Sequence, residues 1–182
     1  MSGSSTRSEG WAVAEAESEA AATTTVRPRR LRTVALTAGL VVLLDQATKT
    51  WAVNRLSGGR VIDLVGSLRL NLAFNEGAAF SVGDGWNLGP FVAVLALVVV
   101  STLVFTGSTV RSGFGAVAIG LVAGGAIGNL VDRAFRDGSG FMGGRVVDWI
   151  DVQWWPVFNV ADSAVSIGAV ALVVYSLRAP QD

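Results

Sequence analysis

Four apolar stretches, each about as long as a helix that crosses a bilayer, constrain the fold of this chain more than any other feature. They cover about 33–53, 88–105, 112–131 and 157–177. A helix needs roughly 20 such residues to cross about 30 Å of hydrocarbon. Charged residues make up only 15% of the chain, below the roughly 25% of a typical soluble domain. The sequence therefore predicts an α-helical integral membrane protein with four transmembrane helices.

Residues 1–32 precede the first apolar stretch and are rich in Ala, Ser, Thr, Glu and Gly. This composition predicts a disordered cytoplasmic tail that ends in a basic cluster. Residues 33–178 are interpreted as one membrane domain, and 179–182 as a short cytoplasmic C-terminus. A signal peptide is the other interpretation of the first stretch, but Asp45 and Lys49 stand where its apolar region and cleavage site would be. The stretch therefore reads as a membrane anchor.

Charge gives the orientation only in part, because the arginines from Arg27 onward are divided evenly, six and six, between the two sides of the membrane. The dense cluster before the first stretch favours cytoplasmic termini, since the first helix usually dominates topology. The connections after the first and third stretches then lie on the extracytoplasmic face. Lys plus Arg and Asp plus Glu both number 14, so no basic excess indicates a nucleic-acid partner.

The first extracytoplasmic connection, about 54–86, alternates apolar and polar residues between Ile62 and Asn75. A period of two residues is typical of a β-strand. Gly66 and Ser67 supply a turn within the pattern. The sequence therefore predicts a small extracytoplasmic β-sheet between helices 1 and 2, with its apolar face on the membrane or on the helices.

The chain contains neither histidine nor cysteine. Thiol nucleophiles, Ser-His-Asp triads and the usual zinc sites are therefore excluded. Any catalysis has to use Asp, Glu, Lys, Ser, Thr or Tyr. We expect no metal and no cofactor.

Ionisable residues inside apolar stretches are functional candidates, because each costs roughly 2.5–3.5 kcal/mol to insert at the membrane centre. Asp45 and Lys49 lie four residues apart, and hence on one face of the first helix. The simpler interpretation is a self-neutralising pair without a further role.

The third stretch contains a stripe of small residues, Gly120, Gly124 and Gly128, which continues to Asp132. Small residues at this spacing let helices approach closely. The stripe is therefore explained by packing, with Asp132 neutralised by a neighbouring arginine, Arg133, or by a lysine on the first helix, Lys49. Its polar end predicts a set of residues that position a site: Gly125, Gly128, Asn129, Asp132 and Arg133.

Two further aspartates lie near the predicted outer face. Asp148 is flanked by apolar residues in the second outer connection, and Asp162 begins the fourth stretch three residues after Asn159. Asn159 and Asp162 could simply form a helix cap. Alternatively, two carboxylates at a dry interface share one proton and supply an acid and a base, as in aspartic proteases. Spacing alone leaves Asp132 and Asp151 as other members of such a pair.

Five motifs occur in one order along the chain and together resemble the signal peptidase II family of bacteria, the prolipoprotein signal peptidases. The resemblance covers nearly everything after the tail. The motifs are Asp45-Gln46 with Lys49; Asn75 to Phe80 (Asn-Glu-Gly-Ala-Ala-Phe); Gly128 to Arg133 (Gly-Asn-Leu-Val-Asp-Arg); Val146 to Trp149 (Val-Val-Asp-Trp); and Phe158 to Ser163 (Phe-Asn-Val-Ala-Asp-Ser).

The resemblance implies a metal-free aspartic endopeptidase of the bacterial cytoplasmic membrane, acting as a monomer among membrane lipids. Its substrates would be diacylglyceryl-modified prolipoproteins, cut just before the lipidated cysteine. The catalytic pair of the family matches Asp148 and Asp162. The resemblance also implies a set of residues that shape the site or bind substrate: Asp45, Lys49, Asn75, Gly77, Asn129, Arg133, Asn159 and Ala161, with Asp132 in a supporting role.

Two other functions remain open at this point. One is a serine-lysine peptidase that uses Lys49 with Ser163 or Ser81. The other is a small proton-coupled transporter or channel whose buried charges relay protons across the membrane.

Overall fold

The computed structural model describes residues 5–76, 112–138 and 142–178, with side chains from residue 30 onward. Within these ranges three α-helices are present: α1 (Ser5–Leu56), α2 (Gly113–Phe135) and α3 (Val160–Arg178). Three segments, Arg30–Leu56, Gly113–Phe135 and Val160–Leu177, are long and apolar enough to cross a membrane.

These segments correspond to the first, third and fourth predicted spans. The second predicted span, 88–105, lies outside the described residues, so the count of four helices stays a prediction. Helix α1 begins at Ser5, within the segment 1–32, whose disorder stays a prediction from composition. The alanine and glutamate of this segment are strong helix formers.

Helix α2 packs between α1 and α3, and its glycines explain how closely. A Cβ atom added at Gly124 would lie 2.7 Å from the carbonyl oxygen of Ala38 on α1. One added at Gly120 would lie 2.6 Å from the Cβ of Thr37. The predicted close-packing role of this stripe is confirmed, because any side chain here would force the helices apart.

An antiparallel sheet of three strands, ordered β1-β2-β3, lies beyond the helix ends. Its strands are β1 (Val61–Val65), β2 (Leu68–Asn75) and β3 (Val146–Asp151). The predicted β1–β2 hairpin is confirmed, and Gly66 in its turn has a φ of +59°, which glycine adopts without strain. The sequence predicted a sheet formed only by the connection between helices 1 and 2. The observed sheet also includes β3, which comes from the segment after α2.

The pairing of β2 with β3 contains an irregularity that decides which side chains meet. Leu70 pairs with Ile150, but the next pair joins Ala73 and Asp148, so β2 has one residue more than β3 between them. Because side chains alternate between the two faces of a strand, one extra residue exchanges the faces beyond it. As a result Asn75 shares a face with Asp148.

Candidate active site

A fully buried cluster of charges joins α1 to α2. Lys49 Nζ lies 2.8 Å from Asp45 Oδ2 and 3.0 Å from Asp132 Oδ2, and none of the three side chains is exposed. Asp132 Oδ1 lies 2.7 Å from the Nε of Arg136. The neutralisation of Asp132 by Lys49 is confirmed, whereas Arg136 takes the role that sequence reasoning offered to Arg133.

The same cluster holds the beginning of α3. Asp45 Oδ1 accepts a hydrogen bond from the backbone N–H of Ala161 at 2.9 Å, and Asp132 Oδ2 accepts one from the backbone N–H of Val147 on β3 at 3.1 Å. A Cβ atom added at Gly128 would lie 2.7 Å from Asp45 Oδ2, and one at Gly125 would overlap the carbonyl oxygen of Ala161. These glycines are therefore required for α1, α2 and α3 to meet here.

Asn159 and Asp162 form the predicted capping box at the start of α3. The backbone N–H of Asp162 donates to Asn159 Oδ1 at 2.9 Å, and the backbone N–H of Asn159 donates to Asp162 Oδ2 at 3.1 Å. This arrangement satisfies helix N–H groups that would otherwise lack partners. Asp162 does more than cap, because its Oδ1 also accepts a hydrogen bond from Asn129 Nδ2 at 2.8 Å.

Asp148 lies in β3 and is only 4% exposed. Its Oδ1 accepts a hydrogen bond from Asn159 Nδ2 at 2.7 Å, and its Oδ2 accepts one from Asn75 Nδ2 at 3.3 Å. Asn159 Nδ2 is also 3.1 Å from the Oδ1 of Asn129. The amides of Asn159 and Asn129 thus link Asp148 to Asp162 in one network.

The other carboxylates that spacing left open are engaged elsewhere. Asp132 is held by Lys49 and Arg136. Asp151 lies at the far end of β3, where Arg69 Nε approaches its Oδ2 to 2.7 Å. Among the described aspartates, Asp148 and Asp162 are the two that the asparagine network joins.

Burial raises the pKa of Asp148 to about 6, and the nearby charge of Asp162 adds to this effect. Hydrogen bonds from Asn159 and Asn75 and the charge of Lys49 act in the opposite direction. Two interacting carboxylates titrate as a pair, so Asp148 takes up a proton much closer to neutrality than an exposed aspartate does.

Two buried N–H groups near this network have no hydrogen-bond partner among the described residues: Nη1 of Arg133 and Nε1 of Trp149. Arg133 is 7% exposed, and its charge acts on Asp148 and Asp162. A buried donor without a partner costs about 1–3 kcal/mol. An unpaired buried donor in a folded protein therefore calls for an explanation, such as a catalytic role or a bound water molecule.

An apolar cavity of about 460 Å³ opens beside Asp162, at the start of α3. Its walls include Val152, Trp154, Trp155 and Ile167. The two tryptophan rings contact each other edge to face with centroids 6.5 Å apart, and both are largely exposed. The carboxylate network therefore borders a surface suited to an apolar ligand.

Sequence analysis gave no role in the site to two residues that contribute to it, Gln46 and Arg136. Gln46 Nε2 donates to the carbonyl oxygen of Gly128 at 3.0 Å and to Asp132 Oδ1 at 3.1 Å, and Arg136 pairs with Asp132 as described above. The spacing of four residues between Asp132 and Arg136 was a signal that could have identified the arginine.

The serine-lysine alternative gains no support from the described residues. Lys49 Nζ is occupied by Asp45, Asp132 and the Oδ1 of Asn129 at 2.8 Å. Ser163 Oγ donates instead to the carbonyl oxygen of Asn159 at 3.0 Å. The other candidate serine, Ser81, and the predicted site glycine, Gly77, lie outside the described residues.

Apolar helices, a small β-sheet and a buried carboxylate network at one end of the helices define an integral membrane enzyme. The buried charges of the described residues gather at that end and do not follow a path across the bilayer, which is unlike a proton relay. The chain belongs to the signal peptidase II family, whose model, described as signal peptidase (SPase) II, matches residues 37–178.

Individual relatives agree with this assignment. The lipoprotein signal peptidase of Rhodococcus jostii (strain RHA1) is 48% identical over 141 residues, which cover 77% of this chain and 70% of the relative. That of Mycobacterium avium (strain 104) is 43% identical over 151 residues, 82% of this chain and 81% of the relative. A solved bacterial membrane enzyme, determined by the in meso method at 1.9 Å, has a TM-score of 0.68 and 28% identity, covering 81% of this chain and 94% of that structure.

Proposed function

We propose that this peptidase is an aspartic endopeptidase that removes the signal peptide from diacylglyceryl-modified prolipoproteins, with Asp148 and Asp162 as its catalytic pair. The cut falls before the lipidated cysteine. The observation that carries the proposal is the joining of two carboxylates by the amides of Asn159 and Asn129. The relatives' name, lipoprotein signal peptidase, supports the substrate class.

The chemistry follows from one proton shared between the two carboxylates. The ionised member removes a proton from a water molecule, whose oxygen attacks the scissile carbonyl carbon. The protonated member donates to the carbonyl oxygen, and a tetrahedral diol forms. Collapse of the diol breaks the C–N bond, and the departing nitrogen takes a proton from the pair as the free amine.

The asparagines keep this pair in position without titrating themselves. Asn159 touches Asp148 with its side chain and Asp162 with both side chain and backbone. Asn75 and Asn129 each hold one further carboxylate oxygen. Because amide groups carry no titratable proton in this pH range, the scaffold stays bonded in each protonation state of the pair.

The unpaired Nη1–H of Arg133 suits a backbone carbonyl group of an extended substrate. Arg133 then fixes the peptide beside the carboxylates, and such alignment is a large part of the catalytic effect in enzymes. The apolar cavity beside Asp162 suits the acyl chains that a diacylglyceryl group brings with it.

The remaining predicted residues frame the site in this proposal. Asp45, Lys49 and Asp132 tie the helix ends together, and Gly125, Gly128 and Ala161 allow the close approach described above. The site lies towards the extracytoplasmic face of the cytoplasmic membrane, with both termini in the cytoplasm. The functional unit is a monomer.

The test is cleavage of a purified diacylglyceryl-modified prolipoprotein by the purified full chain in detergent. Asp148→Asn and Asp162→Asn are each expected to abolish cleavage while remaining folded by tryptophan fluorescence. Asp63→Asn, which removes an exposed carboxylate of β1, serves as the matched control and is expected to keep full activity. Ser163→Ala is also expected to cleave normally. A folded Asp148→Asn or Asp162→Asn variant with full activity would remove that residue from the catalytic pair.

A further inference from the structure

Asp151 is a second heavily bonded aspartate of β3, three residues beyond Asp148 and only 3% exposed. Its Oδ2 accepts hydrogen bonds from Arg69 Nε at 2.7 Å and from Asn71 Nδ2 at 3.2 Å. The Arg69 guanidinium holds the pKa of Asp151 below its usual range, so this carboxylate is ionised at neutral pH. The catalytic proposal does not use this ion pair.

The contacts of Asp151 with β2 lie directly before the irregularity in the pairing of β2 with β3. Arg69 lies opposite Asp151 in the sheet, and Asn71, two residues later, reaches the same carboxylate oxygen. The alternation of faces is therefore regular as far as Asn71, and the extra residue of β2 falls between Asn71 and Ala73. Ala73 then lies opposite Asp148.

A β-bulge has to be held at one place, because moving it along the strand changes which residues share a face. If β2 paired without the extra residue, Leu72 would lie opposite Asp148, and Phe74 would share its face. Asn75 would then point to the other face and lose its hydrogen bond to Asp148 Oδ2. The contacts of Arg69 and Asn71, which precede the bulge, thus decide whether Asn75, which follows it, can bond Asp148.

We propose that Arg69, Asn71 and Asp151 form a register clamp that fixes the bulge of β2 and thereby places Asn75 against Asp148. The three are positioning residues, since none of them bonds the catalytic carboxylates. This inference rests on the proposed catalytic role of Asp148.

The clamp also fixes where the chain leaves β3 towards α3. Asp151 Oδ1 accepts the backbone N–H of Gln153 at 2.7 Å, and Gln153 has a φ of +69°. Its Nε2 donates to the carbonyl oxygen of Ser67, in the β1–β2 turn, at 2.9 Å. A single carboxylate thus anchors the segment between the two catalytic aspartates at its first residues.

The test uses the full chain in detergent and the same prolipoprotein cleavage assay, with Asp151→Ala and Arg69→Gln as the clamp variants. We expect each to lower kcat about tenfold or more, with a smaller change in KM, because misplaced catalytic groups slow the chemical step more than binding. Asp63→Ala is the matched control, since exposed Asp63 lies opposite Arg69 on the other side of β2. Its kcat is expected to stay within about twofold.

The pH profile of kcat separates positioning from a simple charge effect. The Asn75 hydrogen bond lowers the pKa of Asp148, so losing this bond moves the profile to higher pH. Removing the negative charge of Asp151 alone would move the profile to lower pH. The charged groups that act on Asp148, namely Asp162, Lys49 and Arg133, are unchanged in the variants.

We expect the profile of Asp151→Ala to shift upward, as that of Asn75→Ala does, and the double variant to resemble Asn75→Ala alone. An unshifted or lowered profile, or additive losses in the double variant, would overturn the clamp. If Asp151→Ala does not fold, Asp151→Asn gives the same readouts, since it keeps an acceptor for Gln153 but loses the ion pair. Failure of the catalytic proposal is detected separately, by activity in Asp148→Asn or Asp162→Asn.

Discussion

Replacing Lys49 by methionine tests how the buried charges hold the helix ends together. The side chain has no exposed surface and contacts Asp45, Asp132 and Asn129 within 3.0 Å. Methionine fills a similar volume, so the cavity contribution is small. Removing one partner of a buried ion pair costs about 3–5 kcal/mol, because the remaining charge is left uncompensated. We expect Lys49→Met to lose this much of the free energy of unfolding.

The assay is unfolding of the purified chain by a denaturing detergent in mixed micelles, followed by tryptophan fluorescence. Trp51 on α1 and Trp149 on β3 are in edge-to-face contact with centroids 5.7 Å apart, so they report on this region directly. Arg55→Met, which removes an exposed cation from the same helix, is expected to change stability by less than about 0.5 kcal/mol.

The charge argument also predicts a rescue. Asp45→Asn lowers the negative charge that Lys49→Met leaves behind, while its amide oxygen can still accept the N–H of Ala161. We expect the double variant to be more stable than the sum of the two single losses indicates, by about 1–3 kcal/mol. A Lys49→Met loss under about 1 kcal/mol, or strict additivity in the double variant, would refute the reasoning.

Three further outcomes are expected. Gly125→Ala should lower stability by about 1–3 kcal/mol in the same unfolding assay, since its Cβ would overlap the backbone of α3, whereas Gly39→Ala, whose Cβ would meet nothing within 4 Å, should not. Asp148→Asn should be more stable than the parent at pH 8 and equal to it near pH 4, as thermal unfolding at each pH would show. The Asp148 carboxyl has a pKa of about 6 in the folded state, against an ordinary value of 3.8. Between these values the folded state binds more protons than the unfolded state, so its stability falls as the pH rises. An equal stability difference between variant and parent at both pH values would contradict this. A shortened enzyme that begins at Arg27 should cleave prolipoprotein at the parental rate. If the shortened enzyme folds but is inactive, the tail is needed.

The parts of the fold that follow from local patterns could be predicted from the sequence. Hydropathy located the described membrane segments, and alternation located the β1–β2 hairpin. The ion pair of Asp45 with Lys49 and the cap formed by Asn159 and Asp162 both depend on residues three or four apart in a helix, where spacing alone fixes proximity.

The parts that depend on pairing between distant segments could not be predicted in this way. Strand β3 is a short apolar run with no alternation, because it is largely buried. Such a run does not indicate which strand it pairs with. The contact between Asn75 and Asp148 depends on one extra residue in β2, and no local pattern marks a bulge there. The sequence left Arg133 and Lys49 open as partners of Asp132, and the contact with Lys49 joins α1 to α2, so it too depends on packing between distant segments.

The shared use of Asn159 limits how a substrate can enter. Its amide bonds Asp148 on β3, and its backbone belongs to the cap that starts α3. Moving β3 away from α3 to admit a bulky substrate would break the hydrogen bond from Asn159 Nδ2 to Asp148 Oδ1 and separate the two carboxylates at the same time. Entry by parting these two elements is therefore incompatible with a site that is ready to react. In the proposed mechanism the substrate therefore has to reach the carboxylates while β3 and α3 stay together, and the apolar cavity beside Asp162 gives it one such approach.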